Sequence, residues 1–182
     1  MALDLPPKKT IMEAQATPAG LLPTRARPML FYWRISMNYD VMTEQDVPII
    51  AKKYMEYYNG HEDGCWKYDK ACKRIHQMVT IEDSLCLVQT DHGEITGFVI
   101  GFFKEYDDLT EYTLEEIVVF ADDQNQGYGK ALLQEVERRA REHGAEHLDL
   151  ISVNDEHHIH FYTSFGMYQA DNLKIMGKHF SL

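Results

Sequence analysis

Residues 114–144 read LEEIVVFADDQNQGYGKALLQEVERRAREHG, which places a strand, a polar turn and a helix in immediate succession. The apolar, β-branched run at 117–120 has the length and composition of a buried strand. After the turn, Leu132, Val136 and Ala140 recur at four-residue spacing and form one apolar helix face. Gly144 stands where such a helix would end. We therefore interpret the rest of the chain around this strand–turn–helix unit.

The turn carries two glycines, Gly127 and Gly129, directly before the helix. The first turn of a helix has backbone N–H groups without internal partners, and the helix dipole adds partial positive charge there. Glycines allow a phosphate to approach this backbone because no Cβ stands in the way. Residues 124–130 are therefore predicted to hold a pyrophosphate group. The alternative is a plain strand–turn–helix with two turn glycines.

Two widespread phosphate motifs do not fit this turn. Ala131 follows Lys130, so the GK[ST] ending of a P-loop is missing, and Leu132 stands where the dinucleotide fingerprint needs its third glycine. Residues 124–129, QNQGYG, match the pattern Q/R-x-x-G-x-G/A instead. In this position after an apolar strand and before an amphipathic helix, the segment resembles the acetyl-CoA loop of the GNAT N-acetyltransferase superfamily.

A second segment strengthens the resemblance. Residues 161–167 read FYTSFGM and follow Asn154, which is similar to the family's N…(F/Y)Y-x-x-x-G-F signature. Met167 replaces the usual aromatic residue and keeps an apolar side chain at that position. The two motifs occur in the family's order and spacing.

The predicted element order, from about Ile35 to the C-terminus, is β-α-α-β-β-β-α-β-α-β-β. Besides the central strand and helix, the pattern predicts strands over 36–42, 84–90, 94–104, 147–153, 167–170 and 173–178, and helices over 43–58, 68–78 and 155–165. This order matches the GNAT acyl-CoA N-acyltransferase fold, an α/β (α+β) class with a central mixed β-sheet flanked by helices. Gly97 and Gly101 inside a predicted strand indicate a bulge or a close backbone approach.

The resemblance implies acetyl-CoA as cosubstrate and assigns residues to it. The backbone N–H of Val119 would stabilise the oxyanion, Asn154 would steady the pantetheine arm or the last helix, and the amides of the glycine turn would hold the pyrophosphate. The cofactor-binding residues predicted in this way are Ile117, Val118, Val119, Gln124, Asn125, Gln126, Gly127, Tyr128, Gly129, Lys130, Asn154, Phe161 and Tyr162.

Acetyl transfer to an amine needs a base for the ammonium and a proton donor for the departing thiolate. The resemblance assigns the donor role to Tyr162, for which a core tyrosine with a satisfied hydroxyl is the alternative. Glu115 is the first choice as base, acting directly or through water, because a regular strand places it on the face of Ile117 and Val119. Glu116 is the second choice, and the alternatives are a solvated carboxylate or a water chain without any carboxylate.

His157, His158 and His160 form a short cluster, but no neighbouring cysteine completes a metal-ligand pattern, so no metal site is predicted. One of these histidines could instead relay a proton near Tyr162. The three cysteines are an odd number without C-x-x-C spacing, which argues against a disulfide framework and suits a cytoplasmic protein. None of them has a recognisable nucleophile setting, so a covalent acetyl-enzyme is not expected.

The net charge of the chain is −11, and nearly all acidic residues follow position 36. Such an acidic body disfavours nucleic acids and anionic membranes and favours cationic ligands, although solubility alone also selects for acidity. Residues 1–34 are rich in proline and show no sustained period, which predicts an extended leader or linker before a domain at 35–182. A transit peptide, an upstream extension before Met37 and a cloning remnant are alternatives for the leader.

These observations predict an acetyl-CoA-dependent N-acetyltransferase that acts by direct attack in a ternary complex. Its expected acceptor is a primary amine of a small cation, either an aminoglycoside antibiotic, as in antibiotic resistance, or a polyamine. The predicted two-helix region carries residues that could bind that amine, with ordinary packing as the alternative for the aromatic ones: Tyr54, Glu56, Tyr57, Tyr58, Glu62, Asp63 and Trp66. The alternatives are a protein or peptide N-acetyltransferase and a non-catalytic acyl-CoA-binding sensor. The resemblance also allows a homodimer, since members of the superfamily are often dimeric.

Overall fold

The structure, a computed structural model, describes residues 37–180, so the predicted leader at 1–34 lies outside the described residues. The elements are β1 (Met37–Val41), α1 (Val47–His61), α2 (Tyr68–Val79), β2 (Leu87–Asp91), β3 (Glu94–Glu105), β4 (Thr110–Val119), α3 (Tyr128–Glu142), β5 (His147–Leu150) and α4 (Glu156–Thr163), with a short 3-10 turn at Ala121–Asp123 between β4 and α3. Within residues 37–180, none of the helices has the length and apolarity needed to cross a membrane.

The five strands form one sheet in the order β1-β2-β3-β4-β5. The first four strands are antiparallel neighbours, whereas β5 lies parallel to β4. A parallel pair needs a crossover connection, and α3 provides it. The predicted mixed sheet flanked by helices is confirmed.

Two apolar cores cover the two faces of this sheet. On one face, α1 and α2 pack over Phe98, Ile100 and Val118. On the other face, α3 packs over Val99 and Leu114. Alternate residues of β3 therefore belong to opposite cores, as the two-residue period of a strand requires.

A β-bulge interrupts the pairing of β3 with β4. Ile100 lies opposite Glu116 and Gly101 lies opposite Leu114, so Glu115 is the extra residue on β4. The prediction placed Glu115 on the face of Ile117 on condition that β4 is regular, and the bulge means that this condition is not met. The bulge expected from the strand glycines is confirmed at Gly101.

Gly101 is required by close packing. A Cβ at this position would lie against the Tyr112 hydroxyl and the Thr113 carbonyl oxygen, and Tyr112 is fully buried. We expect Gly101→Ala to lower the free energy of unfolding by about 1–3 kcal/mol because the buried ring and the neighbouring strand must shift. Gly60→Ala is the matched control, since Gly60 lies in α1 with open space around it. Urea unfolding curves should separate the two variants, and equal midpoints would contradict the packing argument.

The C-terminal segment differs from the sequence-based prediction. No strand is formed over residues 164–180, so the predicted strands at 167–170 and 173–178 are wrong. Leu173, Ile175 and Met176 are 57%, 75% and 92% exposed. β-Branched and apolar residues favour a strand only where a neighbouring strand and a packed face are available.

Three other boundaries moved for local reasons. β5 ends at Leu150 instead of residue 153, where its pairing with β4 stops. α1 continues to His61, beyond the predicted end at residue 58, and the Asn59 side-chain amide bonds both backbone groups of Trp66 in the loop that leads to α2. At the other end, α1 begins at Val47 instead of residue 43. Asp46 is its N-cap, and the Asp46 carboxylate accepts hydrogen bonds from the N–H and hydroxyl of Thr43.

Candidate active site

The β4–β5 gap is a cavity that opens where the two parallel strands separate. Their pairing ends at Leu114 and Leu150, although β4 continues to Val119. The gap has a volume of about 120 Å³ and is lined by Leu114, Glu115, Glu116, Ile117, Leu150, Ile151, Ser152, Val153, His158 and Tyr162. On its rim, Ile151 and Val153 are 75% and 63% exposed. The gap therefore offers an apolar slot beside unpaired strand backbone.

Main-chain N–H groups of β4 point into this gap. The N–H of Phe120 donates to the Thr96 carbonyl oxygen at 2.9 Å, on the β3 side. Successive N–H groups of a strand point to alternate edges, so the N–H of Val119 points away from β3 and towards the side of β5. Of the predicted strand residues, Ile117 also lines the gap, whereas the Val118 side chain is buried in the core under α1 and α2.

The glycine turn leads into α3 with free backbone donors. Gly127 is the N-cap at φ +86°, and Asn125 is also left-handed at φ +61°. Within the described part of the chain, the amides of Gly127, Tyr128, Gly129 and Lys130 have no hydrogen-bond acceptor. The first turn of α3 also carries no acidic residue. Four free amides and the positive end of the helix dipole can bind an anion here.

The two glutamine side chains of the turn face the protein instead of a ligand. The Gln124 amide donates to the Val119 carbonyl oxygen at 3.0 Å and to the Tyr57 hydroxyl at 3.1 Å. The Gln126 amide donates to the Asp122 carbonyl oxygen at 3.2 Å. Any contact of Gln124 and Gln126 with an anion would therefore come from their backbone, and their side chains hold the turn in shape.

Long-range bonds from β2 fix the start of α3. The Tyr128 hydroxyl donates to the Asp91 carboxylate at 2.7 Å, and the fully buried Gln89 amide donates to the Tyr128 carbonyl oxygen at 3.0 Å. Gln89 and Asp91 therefore support this turn, a role that is not predicted from the sequence. A polar Gln inside an apolar strand is the available signal, but nothing local to it identifies a partner 39 residues away.

The short helix α4 brings the second motif to the gap. Tyr162 lines the gap, burial raises the pKa of its phenol, and its hydroxyl has no hydrogen-bond partner among residues 37–180. The Phe161 ring lies beside Gly129, where an added Cβ would meet it at 3.8 Å. Asp155 is the N-cap of α4 and accepts from the His158 N–H at 2.9 Å. Asn154 is exposed and has no side-chain hydrogen bond within the described chain.

Both predicted carboxylates belong to one polar cluster, which we name the Glu116 cluster and define as Tyr54, Tyr58, Arg74, Glu115 and Glu116. The Tyr58 hydroxyl donates to Glu116 at 2.5 Å and the Tyr54 hydroxyl donates at 3.5 Å. The Arg74 guanidinium donates to Glu115 at 2.8 Å and lies 3.6 Å from Glu116. The Glu116 side chain is 15% exposed and that of Glu115 is 35% exposed.

Burial controls the ionisation of this cluster. It raises the pKa of Glu116, while the Tyr58 hydroxyl, the charge of Arg74 and the Tyr54 hydroxyl lower this pKa. Burial and the neighbouring Glu116 charge raise the pKa of both Tyr54 and Tyr58, so these phenols remain neutral hydrogen-bond donors. Glu116 thus has an elevated pKa and stabilising donors, which suits a group that takes up and releases a proton.

Glu116 and Tyr162 approach the gap from opposite faces of the sheet. Glu116 contacts side chains of α1 and α2, whereas Tyr162 packs with the core under α3. A molecule in the gap would have a proton acceptor on one side and a phenol on the other. This arrangement fits a displacement in which a nucleophile arrives from one side and a leaving group is protonated on the other.

A second cavity lies between α1 and the segment that links β4 to α3. Its volume is about 200 Å³, and its walls are acidic and aromatic. The lining residues are Lys53, Glu56, Tyr57, His61, Phe120, Ala121, Asp122 and Asp123. Three carboxylates against one lysine make this cavity suited to a cation. Tyr54 and Trp66 of the predicted amine site instead pack edge to face, with their ring centroids 4.9 Å apart.

The histidine cluster of α4 is not arranged around a metal. His158 Nδ1 lies 2.7 Å from the Asp155 carboxylate, and the His157 and His158 rings are perpendicular to each other. Over residues 37–180, no three His, Cys, Asp or Glu side chains are grouped to hold a metal ion. His158 lines the gap, so it is the member of the cluster that lies near Tyr162.

The chain was compared with known protein families, curated proteins and solved structures. Residues 48–167 match the family model described as Acetyltransferase (GNAT) family. A comparison with curated proteins gives no match.

Solved structures share the fold at low sequence identity. A possible acetyltransferase from Clostridium difficile 630 is 13% identical with a TM-score of 0.68, covering 80% of this chain and 99% of that one. An aminoglycoside N-acetyltransferase in complex with CoA is 14% identical with a TM-score of 0.63, covering 79% and 95%. A ribosomal-protein-alanine N-acetyltransferase from Brucella melitensis biovar Abortus 2308 is 15% identical with a TM-score of 0.60, covering 79% and 100%. The acceptors named for these proteins differ although their folds are shared.

Proposed function

Because the chain belongs to the GNAT family of N-acetyltransferases, we propose that it transfers the acetyl group of acetyl-CoA to a primary amine of a small cationic acceptor. The amine attacks directly in a ternary complex, without an acetyl-enzyme. The observation that carries this proposal is the β4–β5 gap, which has Glu116 and Tyr162 in its lining, together with the free amides at the start of α3, where Gly129 lies beside Val119 and Phe161.

The free amides at the start of α3 would bind the pyrophosphate of acetyl-CoA, and the β4–β5 gap would bind its pantetheine arm and thioester. The amides of Gly127, Tyr128, Gly129 and Lys130 would bind the pyrophosphate, since they are free and no carboxylate competes in the first turn of α3. The apolar rim of Ile151 and Val153 would be covered by the pantetheine arm. The backbone N–H of Val119 points to this side of β4 and would stabilise the oxyanion.

Glu116, instead of the first-choice Glu115, is the base in this proposal. Glu115 is the bulged residue and is paired with Arg74, whereas Glu116 is more buried and has a raised pKa. Glu116 takes a proton from the acceptor ammonium, directly or through water, and the free amine adds to the thioester carbonyl carbon. The C–S bond then breaks, Tyr162 protonates the thiolate, and the proton lost from the new amide nitrogen restores the phenol through water.

The acidic second cavity supports a cationic acceptor. Glu56, Asp122 and Asp123 lie along the same side of the sheet as Glu116, and the chain as a whole carries a net charge of −11. A second ammonium group of the acceptor would be stabilised there by charge and by the aromatic walls of Tyr57 and Phe120. An aminoglycoside or a linear polyamine has this distribution of charge.

A peptide acceptor is the second candidate, and one observation favours it. The chain after β5 forms no further strand up to residue 180, so the rim of the gap at 151–153 is exposed. An open rim beside unpaired strand backbone could accept an extended peptide as well as a compact amine.

Thiol release from acetyl-CoA with three acceptors tests the function. The panel is an aminoglycoside with several primary amines, a linear polyamine and an unblocked peptide, each at equal amine concentration. We expect turnover with one of the two small cations and little with the peptide. Turnover confined to the peptide would establish the second candidate, and tight acetyl-CoA binding without turnover of any acceptor would indicate an acyl-CoA-binding sensor.

A further inference from the structure

Arg74 contacts both carboxylates at the bulge without lining the gap itself. Its guanidinium lies 2.8 Å from Glu115 and 3.6 Å from Glu116, and its side chain is 28% exposed. Within the described residues, it is the one lysine or arginine within 4.0 Å of either carboxylate. The single guanidinium of Arg74 on α2 is thus within ion-pair distance of two adjacent carboxylates on β4.

The bulge makes this geometry possible. In a regular strand, adjacent side chains point to opposite faces of the sheet, and one guanidinium could not reach both. The extra residue on β4 lets Glu115 and Glu116 both turn towards α2. The bulge lies where β4 pairs with Gly101, at which a side chain would collide with Tyr112 and Thr113.

We propose that Arg74 is a positioning residue that keeps Glu116 ionised for acetyl transfer and that Glu115 serves to hold Arg74 in place. This inference rests on the proposed function, because it assigns Glu116 the role of base. Arg74 acts through Glu116 and is not itself a catalytic residue.

The charges around Glu116 explain why such a residue is needed. Burial disfavours a negative charge on Glu116, whereas the hydroxyls of Tyr54 and Tyr58 and the cation of Arg74 favour it. Across the gap, α4 contributes His158 and the neutral phenol of Tyr162. Arg74 is therefore the one permanent positive charge in contact with Glu116 among the described residues.

The predicted effect is a shift of a pH profile. An opposite charge within about 4–6 Å lowers a carboxyl pKa by about 1–3 units, so Arg74→Gln should raise the pKa of Glu116 by about one unit or more. A base works only when it is ionised, so activity rises with pH through its pKa. The acidic limb of kcat/KM should therefore move to higher pH in Arg74→Gln. Most of the lost activity should return in alkaline buffer.

Carbon-13 NMR of the substrate-free protein provides a readout that does not depend on turnover. Carboxyl-labelled glutamate is titrated in the wild type, Arg74→Gln and Arg74→Lys, and Glu116→Gln assigns the resonance of Glu116. We expect the Glu116 midpoint to rise in Arg74→Gln and to stay near the wild-type value in Arg74→Lys, which keeps the charge. Thermal midpoints and acetyl-CoA affinity of the same variants show whether they are folded.

The kcat/KM profiles are then measured with whichever acceptor of the panel is acetylated most rapidly. Glu115→Gln should move the acidic limb to higher pH by less than Arg74→Gln does, because Arg74 is still present but becomes less ordered. An unchanged Glu116 midpoint in Arg74→Gln would overturn the proposal, as would an activity loss that is equal at every pH. Acetyl transfer by the wild type would stand in either case, so the failure of this inference is distinguishable from failure of the proposed function.

Discussion

Gly127→Asp is expected to weaken acetyl-CoA binding by about 100-fold or more. The N-cap of α3 is the point where the free amides converge, and a carboxylate here would lie beside the pyrophosphate. Like charges brought together in a binding site cost several kcal/mol, and about 1.4 kcal/mol corresponds to a factor of ten in Kd. The added carboxylate would also accept bonds from the α3 amides and so compete for the donors that the phosphate needs.

Gly127→Asn is the matched control for this variant. Position 127 has φ +86°, where side chains other than glycine are strained, but Asn and Asp tolerate this region better than most residues. The two variants are nearly equal in size and shape, so the difference between them isolates the charge. Isothermal titration with coenzyme A measures both, and thermal midpoints verify that both are folded. Equal Kd values for Asp and Asn would show that the pyrophosphate lies elsewhere.

The glycine turn was predictable because its information is local. A strand, two glycines and an amphipathic helix within 31 residues define where free amides must lie, whatever the rest of the chain does. The predicted mixed sheet followed from the order of the elements around this unit. The roles assigned to the individual turn residues remain predictions, although the side chains of Gln124 and Gln126 are committed to the protein.

The carboxylate cluster was less predictable because it depends on contacts between distant segments. The sequence identifies Glu115 and Glu116 as candidates, but their orientation depends on a bulge that lies where β4 pairs with Gly101 of the neighbouring strand. Arg74 lies 41 residues before Glu115 in the chain, on a helix whose surface pattern does not distinguish it from other lysines and arginines. No local pattern in the sequence predicts that Arg74 pairs with Glu115.

The C-terminal segment shows a different limit. Alternating apolar residues over 173–178 suggested a strand, but the segment lies free of the sheet and Ile175 is 75% exposed. A strand is stabilised by its ladder and by the face it covers, and neither is encoded in the segment itself. The strand predicted over 173–178 is therefore wrong because a strand forms only beside a neighbouring strand. The strand–turn–helix at 114–144 was predictable because its own residues determine its backbone.

Tyr162→Phe is expected to lower kcat by about 100- to 1,000-fold with acetyl-CoA affinity nearly unchanged, because loss of a positioned general acid removes about that much rate. The phenol lines the gap, and its hydroxyl donates to no group of residues 37–180, so it is available to the departing thiolate. Burial raises the pKa of Tyr162, which keeps the phenol protonated through the neutral range. Removing one oxygen leaves the packing of the ring against Phe161 intact.

Tyr168→Phe is the matched control, since Tyr168 is 62% exposed and lies outside the lining of the gap. Steady-state kinetics with the best acceptor and titration with acetyl-CoA separate rate from binding in both variants. As an acid, the phenol is active in its protonated form, so on the alkaline side wild-type kcat should fall only when the pH rises through the elevated pKa of Tyr162. A kcat for Tyr162→Phe equal to that of Tyr168→Phe would remove Tyr162 from the mechanism. Protonation of the thiolate would then have to come from solvent, and the separation of acid and base across the gap would have no catalytic meaning.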